Sequence, residues 1–181
     1  MIASDFDPSM LTLSKPIVLI GMMGTGKTHI GRLLAKKLGI SFVDSDDEIV
    51  ASAGQSIADI FERYGENAFR DLEKKVIRRL LENKASVIST GGGCITEPET
   101  LALLTQQAHL FWLQSDLDVL VERTSKRNDR PLLKNNDPKE VLSQLLQART
   151  PFYEQAHYHI NANHGGHDTV NQICESLSAF V

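Results

Sequence analysis

Apolar positions follow two different periods along the chain. A short run at residues 16–21, "PIVLIG", is rich in β-branched residues and is typical of a strand buried on both faces of a parallel sheet. After it, Ile30, Leu34 and Leu38 recur at helical spacing. Gly39 follows them as a typical helix stop. The pattern therefore predicts a strand, a connecting loop and an amphipathic helix between residues 16 and 39.

The same alternation of strand and helix patterns continues towards the end of the chain. Charged and turn-forming residues with Pro at 127–138 interrupt it, as a mobile loop would. Strands that alternate with helices are typical of an α/β domain with a mainly parallel sheet flanked by helices. Five strands are predicted, and the four that follow the first run lie at residues 41–46, 85–90, 109–113 and 157–162.

Composition narrows the class of protein. A chain of 181 residues with 41% hydrophobic residues suits one globular domain, which we expect at residues 15–181. The net charge of −4 does not favour a nucleic-acid or membrane partner. The chain is expected to be a monomer. Cys94 and Cys174 form neither a disulfide framework nor a zinc spacing, which favours the reduced cytoplasm. Residues 1–14 lack a signal-peptide pattern and are expected to form a loose extension.

The stretch "GMMGTGKT", which starts at Gly21, fits the phosphate-binding P-loop pattern without a mismatch. It follows a predicted strand and opens a predicted helix, as that motif requires. Gly21, Gly24 and Gly26 allow backbone N–H groups to face inward around an anion. Lys27 is expected to reach the β- and γ-phosphates, and the Thr28 hydroxyl to coordinate Mg²⁺. The chain is therefore expected to bind a nucleoside triphosphate with Mg²⁺.

Three consecutive glycines at residues 91–93 end another predicted strand. Glycine is entropically unfavourable in a folded chain, so three together need an explanation. One interpretation is a turn with positive φ angles. The other is that a ligand or a side chain approaches the backbone too closely for a Cβ atom. The run by itself leaves both interpretations open.

Charged residues also cluster at the predicted strand ends. If the segment is extended, Asp44 and Asp46 alternate along it, and both are expected to face the crevice beyond the sheet. The alternative is that these acids start the next helix, where negative charge is favourable. Arg70 and Glu73 lie one helical turn apart, a spacing that by itself is typical of an exposed ion pair. Arg130 lies in the interrupting loop, where its charge can close over phosphates.

Taken in order, six segments of the chain resemble the shikimate kinase family. The resemblance implies a P-loop kinase of the nucleoside-monophosphate-kinase-like fold, with a mobile lid at about 123–136 and an acceptor-binding region at about 44–73. It also implies transfer of the γ-phosphoryl group of ATP to the 3-hydroxyl of shikimate, with Mg²⁺, in aromatic amino-acid (chorismate) biosynthesis. The segments are "GMMGTGKT", "DSD", "SIADIFERYGENAFRDLE", "STGGG", "RNDRPLL" and "ARTPFY".

The same resemblance implies roles on the acceptor side. Asp46 would hydrogen-bond the shikimate hydroxyls and help to activate the attacking one. Arg70 and Arg149 would bind the shikimate carboxylate, and Glu73 would orient Arg70. The central glycine of the run would touch the substrate. The residues expected to bind shikimate are Asp46, Arg70, Gly91, Gly92, Gly93 and Arg149.

On the nucleotide side, the resemblance adds Asp44, which would reach Mg²⁺ through water beside Thr28. His29 stands where the family usually has Ser or Thr, and the loop at 161–167 lies where the family holds adenine. The residues expected to act in catalysis are Asp46, Lys27 and Arg130. Those expected to bind ATP are Gly24, Thr25, Gly26, Lys27, Thr28, His29, Arg123 and Arg130.

Two other functions fit part of the pattern. A kinase for another small polyhydroxy acid, such as gluconate, keeps the P-loop but does not need Arg70 and Arg149 together with Asp46. A non-catalytic nucleotide-binding module would usually lack an acceptor-side residue.

Four histidines near the C-terminus have two interpretations: they form a metal site, or they are solvated side chains. Cys94 is expected to be buried and inert. The histidines are His157, His159, His164 and His167.

Overall fold

A parallel β-sheet forms the centre of the computed structural model, which describes residues 12–126 and 137–178. Within those residues the sheet has five strands in the order β2-β3-β1-β4-β5, and all four strand pairings are parallel. The predicted mainly parallel five-stranded sheet is confirmed and is parallel throughout. The strands are β1 (Ile17–Ile20), β2 (Ser41–Asp44), β3 (Ser86–Ser89), β4 (His109–Gln114) and β5 (Tyr158–Asn161).

Helices connect the strands and cover both faces of the sheet. A short 3₁₀ helix, Cys94–Thr96, follows the glycine run after β3. Among the described residues, no helix has the length and apolar character needed to cross a lipid bilayer. The α-helices are α1 (Lys27–Leu38), α2 (Ser45–Ala53), α3 (Ile57–Leu80), α4 (Pro98–Gln107), α5 (Leu117–Ser125), α6 (Pro138–Tyr153) and α7 (Gly166–Ser178).

The apolar run of β1 is continuous because both of its faces are buried. Ile17 and Leu19 belong to the core cluster that includes α1 and α7. Val18 and Ile20 belong to the cluster on the opposite face, with residues of α3, α4 and α6. Successive side chains of a strand point to opposite faces, so a strand covered on both sides carries no polar alternation.

Local signals in the sequence account for several helix boundaries. Ser56 and Asp59 form a capping box at the start of α3. Within α3, Gly65 has φ 80° and ψ 175°, so a glycine interrupts the helical geometry at this point. Helix α6 instead continues through Pro151, which lies in its last turn. Most of the expected loose extension lies outside the described residues. Residues 127–136 of the expected lid, which include Arg130, also lie outside them.

The strand order brings three chain segments to one edge of the sheet. β3 lies between β1 and β2, and Ser89 is in register with both Leu19 and Asp44. Thr90 extends this contact by donating from its backbone N to Leu19 O over 3.2 Å. The P-loop after β1, the glycine run after β3 and the acids after β2 are therefore neighbours at the carboxyl edge, where open α/β sheets bind ligands.

Candidate active site

The P-loop bends tightly between β1 and α1. Gly21 has φ 145°, and a Cβ atom there would lie 2.6 Å from the Leu113 carbonyl oxygen. Gly24 has φ 87°, and its Cβ would lie 2.9 Å from a Thr124 methyl group. Both positions therefore require glycine, for backbone conformation and for space. The Thr25 hydroxyl closes the turn with a 2.8 Å hydrogen bond to the backbone of Met22.

Lys27 is the first residue of α1, and its side chain returns over the loop. The ammonium group donates to Gly21 O at 2.8 Å and to Met22 O at 2.9 Å. The helix N-terminus adds its own positive potential, because the α1 N-cap is Gly26 and the first turn holds no acid. The loop is thus an anion site made of backbone N–H groups, a helix end and one ammonium group.

Asp44 connects the P-loop helix to the acids after β2. Its Oδ2 accepts a 2.9 Å hydrogen bond from the Thr28 hydroxyl, and its Oδ1 accepts a 3.0 Å bond from Asp46 N. Asp44 is the N-cap of α2, so Asp46 lies in the first turn of that helix. The predicted alternation of Asp44 and Asp46 along an extended segment is therefore wrong. Both side chains nevertheless line one cleft, because the helical turn brings Asp46 back towards β3.

Asp46 lies in a crowded, partly buried position. Burial raises its pKa, and the neighbouring Asp44 raises it further. Lys27 and Arg70 act in the opposite direction and favour the charged carboxylate. A carboxylate with a raised pKa is a better proton acceptor than an ordinary exposed aspartate.

The glycine run packs against side chains rather than making a left-handed turn. None of its three residues has a positive φ, which excludes the turn interpretation. A Cβ at Gly91 would lie 3.0 Å from Asp46 Oδ1, and a Cβ at Gly93 would lie 2.8 Å from Arg70 Nη2. Arg149 Nη2 would be 3.3 Å from that second Cβ. Close approach therefore explains the run, and it draws Asp46, Arg70 and Arg149 onto one stretch of backbone.

Arg70 and Glu73 do form an ion pair, but it is not an exposed one. Arg70 Nη1 lies 2.7 Å from Glu73 Oε2, and Glu73 is only 2% exposed. Burial raises the pKa of Glu73 although Arg70 opposes the rise. Arg70 Nη2 reaches the exposed Glu66 over a longer 3.4 Å contact. The buried carboxylate therefore fixes one edge of the guanidinium, and the other edge lies against Gly93.

Tyr153 was not among the residues predicted for the site. It ends α6, is fully buried, and donates from its hydroxyl to Gly92 O over 2.7 Å. Arg149 lies one helical turn earlier on the same helix and interacts with the phenol. The spacing in "ARTPFY" contains this signal, because residues four apart on a helix are neighbours.

A cleft of about 580 Å³ joins the P-loop to the glycine run. Lys27 and Thr28 line one part of it, and Asp46 and Gly92 line another. Arg70 and Arg149 lie against the same glycine run. The predicted phosphate-binding groups and Asp46 therefore line one cleft, and the two arginines lie against the glycine run that borders it.

The far end of the cleft is formed by α5 and by the loop after β5. Arg123 donates to Ala162 O at 3.0 Å and to Asn163 O at 3.1 Å, which ties its guanidinium to that loop. His29 packs under the start of α7, where a Cβ at Gly166 would lie 3.0 Å from its Nε2 atom. The described residues of the predicted ATP site therefore all border the cleft. Arg130 lies outside the described residues.

The described histidines and cysteines do not suggest a second centre. No group of three or more His, Cys, Asp or Glu residues suited to a metal ion occurs in residues 12–126 and 137–178. His157 Nδ1 accepts a 3.1 Å hydrogen bond from Leu110 N, and His159 lies edge-on to Trp112. Cys94 is fully buried, and burial raises its pKa to about 12. The prediction that this thiol is buried is confirmed.

Comparisons with known proteins agree on one family. A family model described as shikimate kinase matches residues 23–178. A shikimate kinase of Novosphingobium aromaticivorans is 41% identical over 184 residues, covering 99% of this chain and 95% of the relative. One from Caulobacter vibrioides is 45% identical over 154 residues, covering 85% of this chain and 77% of the relative.

Solved structures give the same result. A shikimate kinase from Acinetobacter baumannii in complex with shikimate is 38% identical, with a TM-score of 0.84 and 95% and 94% of the two chains covered. A match to a gluconokinase from Sinorhizobium meliloti covers 94% of this chain and 95% of the gluconokinase, with a TM-score of 0.58 and 15% identity. At this identity the likeness shows a shared fold alone. The family match and the high identity over nearly the whole chain show that this chain belongs to the shikimate kinase family.

Proposed function

We propose that this chain transfers the γ-phosphoryl group of ATP to the 3-hydroxyl of shikimate, in aromatic amino-acid (chorismate) biosynthesis. One observation carries the proposal: Asp46, Arg70 and Arg149 converge on the glycine run, and Gly91, Gly92 and Asp46 line the same cleft as the P-loop. The shikimate complex of a 38% identical structure supports this choice of acceptor. The cytoplasm, where ATP is available, is the proposed compartment.

The two arginines suit the carboxylate of the acceptor. A Cβ atom at Gly93 would lie 2.8 Å from Arg70 Nη2 and 3.3 Å from Arg149 Nη2, so the two guanidinium groups approach the same point. Guanidinium and carboxylate groups match in a bidentate geometry. Glu73 neutralises part of the charge of Arg70 and holds it in place, which fixes the guanidinium before the acceptor arrives.

Asp46 suits the hydroxyl end of the acceptor. It lines the cleft beside Gly91, and burial raises its pKa. In the proposed reaction its carboxylate accepts a hydrogen bond from the attacking hydroxyl and takes the proton as the phosphoryl group is transferred. Because the transition state of phosphoryl transfer is loose, the positioning of the hydroxyl contributes as well as the proton transfer.

The nucleotide phosphates would lie on the P-loop, with Lys27 turned from its loop carbonyls towards the β- and γ-phosphates. The Thr28 hydroxyl and the Asp44 carboxylate are oxygen ligands placed 2.9 Å apart. They suit Mg²⁺, which is usually held by one or two protein oxygens together with substrate phosphates. When bound, Mg²⁺ neutralises charge that develops on the phosphate oxygens. Asp44 is proposed to reach the ion through water.

Two arginines complete the proposed nucleotide site. Arg123 borders the end of the cleft opposite the proposed acceptor site, and its bonds to the loop after β5 support a proposed contact with ATP. Arg130 is proposed, on the family resemblance, to reach the phosphates when a lid at about 123–136 closes over them.

Product analysis tests the proposal. Purified protein is incubated with ATP, Mg²⁺ and either shikimate, gluconate or no acceptor, and ADP release is followed with a coupled assay. We expect ADP release with shikimate only, loss of that release when EDTA removes Mg²⁺, and a phosphorus NMR signal for the 3-phosphate. ADP release with gluconate but not shikimate would favour the other kinase. No release with either acceptor, in protein that still binds ATP, would favour a nucleotide-binding module.

A further inference from the structure

A buried tyrosine lies directly behind the glycine run. The Tyr153 side chain is fully buried, and its hydroxyl donates to Gly92 O over 2.7 Å. A phenol has a single proton to donate, so this bond leaves the oxygen lone pairs free to accept from other groups. The direction of the donated bond therefore sets what else the phenol can bind.

Arg149 lies beside that phenol. It precedes Tyr153 by one turn of α6, and its positive charge acts on the phenol against the pKa rise that burial causes. A Cβ at Gly92 would lie 3.3 Å from Arg149 Nη1 and 3.7 Å from the Tyr153 hydroxyl. The phenol thus connects a backbone carbonyl of the acceptor site to one of the two arginines beside it.

Aromatic packing holds the phenol in this position. The rings of Tyr153 and Trp112 are stacked, with centroids 5.6 Å apart and planes 19° apart. Trp112 belongs to β4, which pairs directly with β1. The ring is therefore anchored to the centre of the sheet, and its hydroxyl reaches from there to the glycine run.

We propose that Tyr153 is a positioning residue that fixes Arg149 and Gly92 at the acceptor site and so raises the affinity for shikimate. This inference rests on the proposed function. Without the hydroxyl, Gly92 O loses its donor and Arg149 loses a polar neighbour near the carboxylate-binding point. Gly92 also faces Gly21 O of the P-loop, 3.3 Å from its Cβ position, but the rest of the nucleotide side is held by the P-loop and α1, so we expect a much smaller effect there.

Tyr153→Phe tests the inference, with Tyr158→Phe as the matched control. Phe keeps the ring that stacks on Trp112 and removes only the hydroxyl. Tyr158 is likewise stacked on an aromatic residue of β4, Phe111, with centroids 4.2 Å apart, but it packs in the cluster on the other face of the sheet. The control therefore removes a phenol hydroxyl from the same sheet without touching the glycine run.

We expect Tyr153→Phe to raise KM for shikimate about tenfold, the effect of losing the one hydrogen bond that fixes Gly92 O, and to change KM for ATP less than about twofold. Calorimetry without nucleotide should show the same loss of shikimate affinity. Tyr158→Phe should leave both KM values unchanged. KM does not depend on the concentration of folded enzyme, so a reduced yield of the variant does not obscure the result.

Three outcomes overturn the inference. An unchanged KM for shikimate with a lowered melting temperature would show that the hydroxyl only stabilises the fold. An equal rise in both KM values would show a general disturbance, and a similar rise in Tyr158→Phe would show that the effect is not local. Failure of the proposed function is separate, because wild-type protein would then release no ADP with shikimate.

Discussion

The two sides of the cleft are built in different ways. The phosphate side is one continuous segment, residues 21–28, between β1 and α1. The acceptor side takes Asp46 from α2, Arg70 from α3, the glycine run from the end of β3 and Arg149 from α6. The first depends on the local backbone, whereas the second depends on the packing of four elements.

Under the proposed function, this difference separates the parts of the molecule that would bind a nucleotide from those that would select an acceptor. Backbone N–H groups and a helix N-terminus bind phosphate whatever the acceptor is. A gluconokinase shares this fold at a TM-score of 0.58 with 15% identity, so the fold alone does not decide the acceptor. In this chain we propose that the side chains that meet over Gly91 and Gly93 select the acceptor.

The largest expected effects come from one substitution on each side. Lys27→Ala should weaken ATP binding and reduce turnover, because it removes the only ammonium group in the P-loop. Asp46→Asn keeps the size of the side chain and removes the charge. It should leave ATP affinity near that of the wild type and lower kcat about 10²- to 10⁴-fold, the range for loss of a general base. Calorimetry with ATP and steady-state kinetics separate the two variants.

The opposite result for Asp46→Asn would contradict the division into a phosphate side and an acceptor side. If Asp46→Asn weakened ATP binding but kept its turnover at saturating ATP, Asp46 would belong to the metal–nucleotide side. Asp47→Asn is the matched control, because Asp47 is the next acid of α2 and is exposed. It should change neither parameter by more than about twofold, as is usual for surface substitutions.

A smaller effect is expected from Gly93→Ala. The added methyl group would lie 2.8 Å from Arg70 Nη2 and 3.3 Å from Arg149 Nη2, which are the ends of flexible side chains. The fold should therefore tolerate it, while the two guanidinium groups move apart. We expect KM for shikimate to rise about 10- to 100-fold, since misplaced positioning groups are costly, and KM for ATP to stay near that of the wild type.

Gly165→Ala is the control on the nucleotide side. No atom lies within 4 Å of a Cβ built there, and the residue has no positive φ. Both KM values should remain unchanged. A rise in KM for ATP, but not for shikimate, in Gly93→Ala would contradict the assignment of the glycine run to the acceptor side.

The same contrast decides how much of the molecule could be predicted from the sequence. The P-loop was predictable in detail, because its glycines, Lys27 and Thr28 lie at fixed spacing in one segment. The five-stranded sheet followed from short strand patterns, of which those of β1, β3 and β4 are buried on both faces. Both features depend on short-range patterns, which a single sequence contains in full.

The acceptor side needed tertiary packing. A spacing of three residues could not show that Glu73 is 2% exposed, so the Arg70–Glu73 pair was typical of a surface contact. Nor could the sequence decide whether the glycine run turned with positive φ or admitted close neighbours. Tyr153 was missed because its partner, Gly92, is 61 residues away in the chain. Here the family resemblance supplied what the residue pattern left open.

The smallest expected effect is a change in the melting temperature. It tests whether the buried charge of Asp46, which serves the proposed function, makes the unliganded protein less stable. Burial raises the pKa of Asp46 above its value in the unfolded chain. An acid with a raised pKa favours folding when protonated and loses that contribution as the pH rises through its folded pKa. We therefore expect the charged Asp46 to destabilise the unliganded protein at neutral pH and Asp46→Asn to raise Tm, by about 2–4 °C for each kcal/mol of destabilisation that is removed.

The pH dependence makes this prediction specific. The gain in Tm should be full at pH 7–8 and should shrink as the pH falls towards the ordinary range of aspartate, where wild-type Asp46 is protonated in both states. Asp47→Asn should show no gain, because it removes an exposed charge that favours the start of α2. If Asp46→Asn instead lowered Tm at neutral pH, the attraction of Asp46 to Lys27 and Arg70 would outweigh its burial. The acceptor side would then be stabilised by its charges, as the phosphate side is by its backbone.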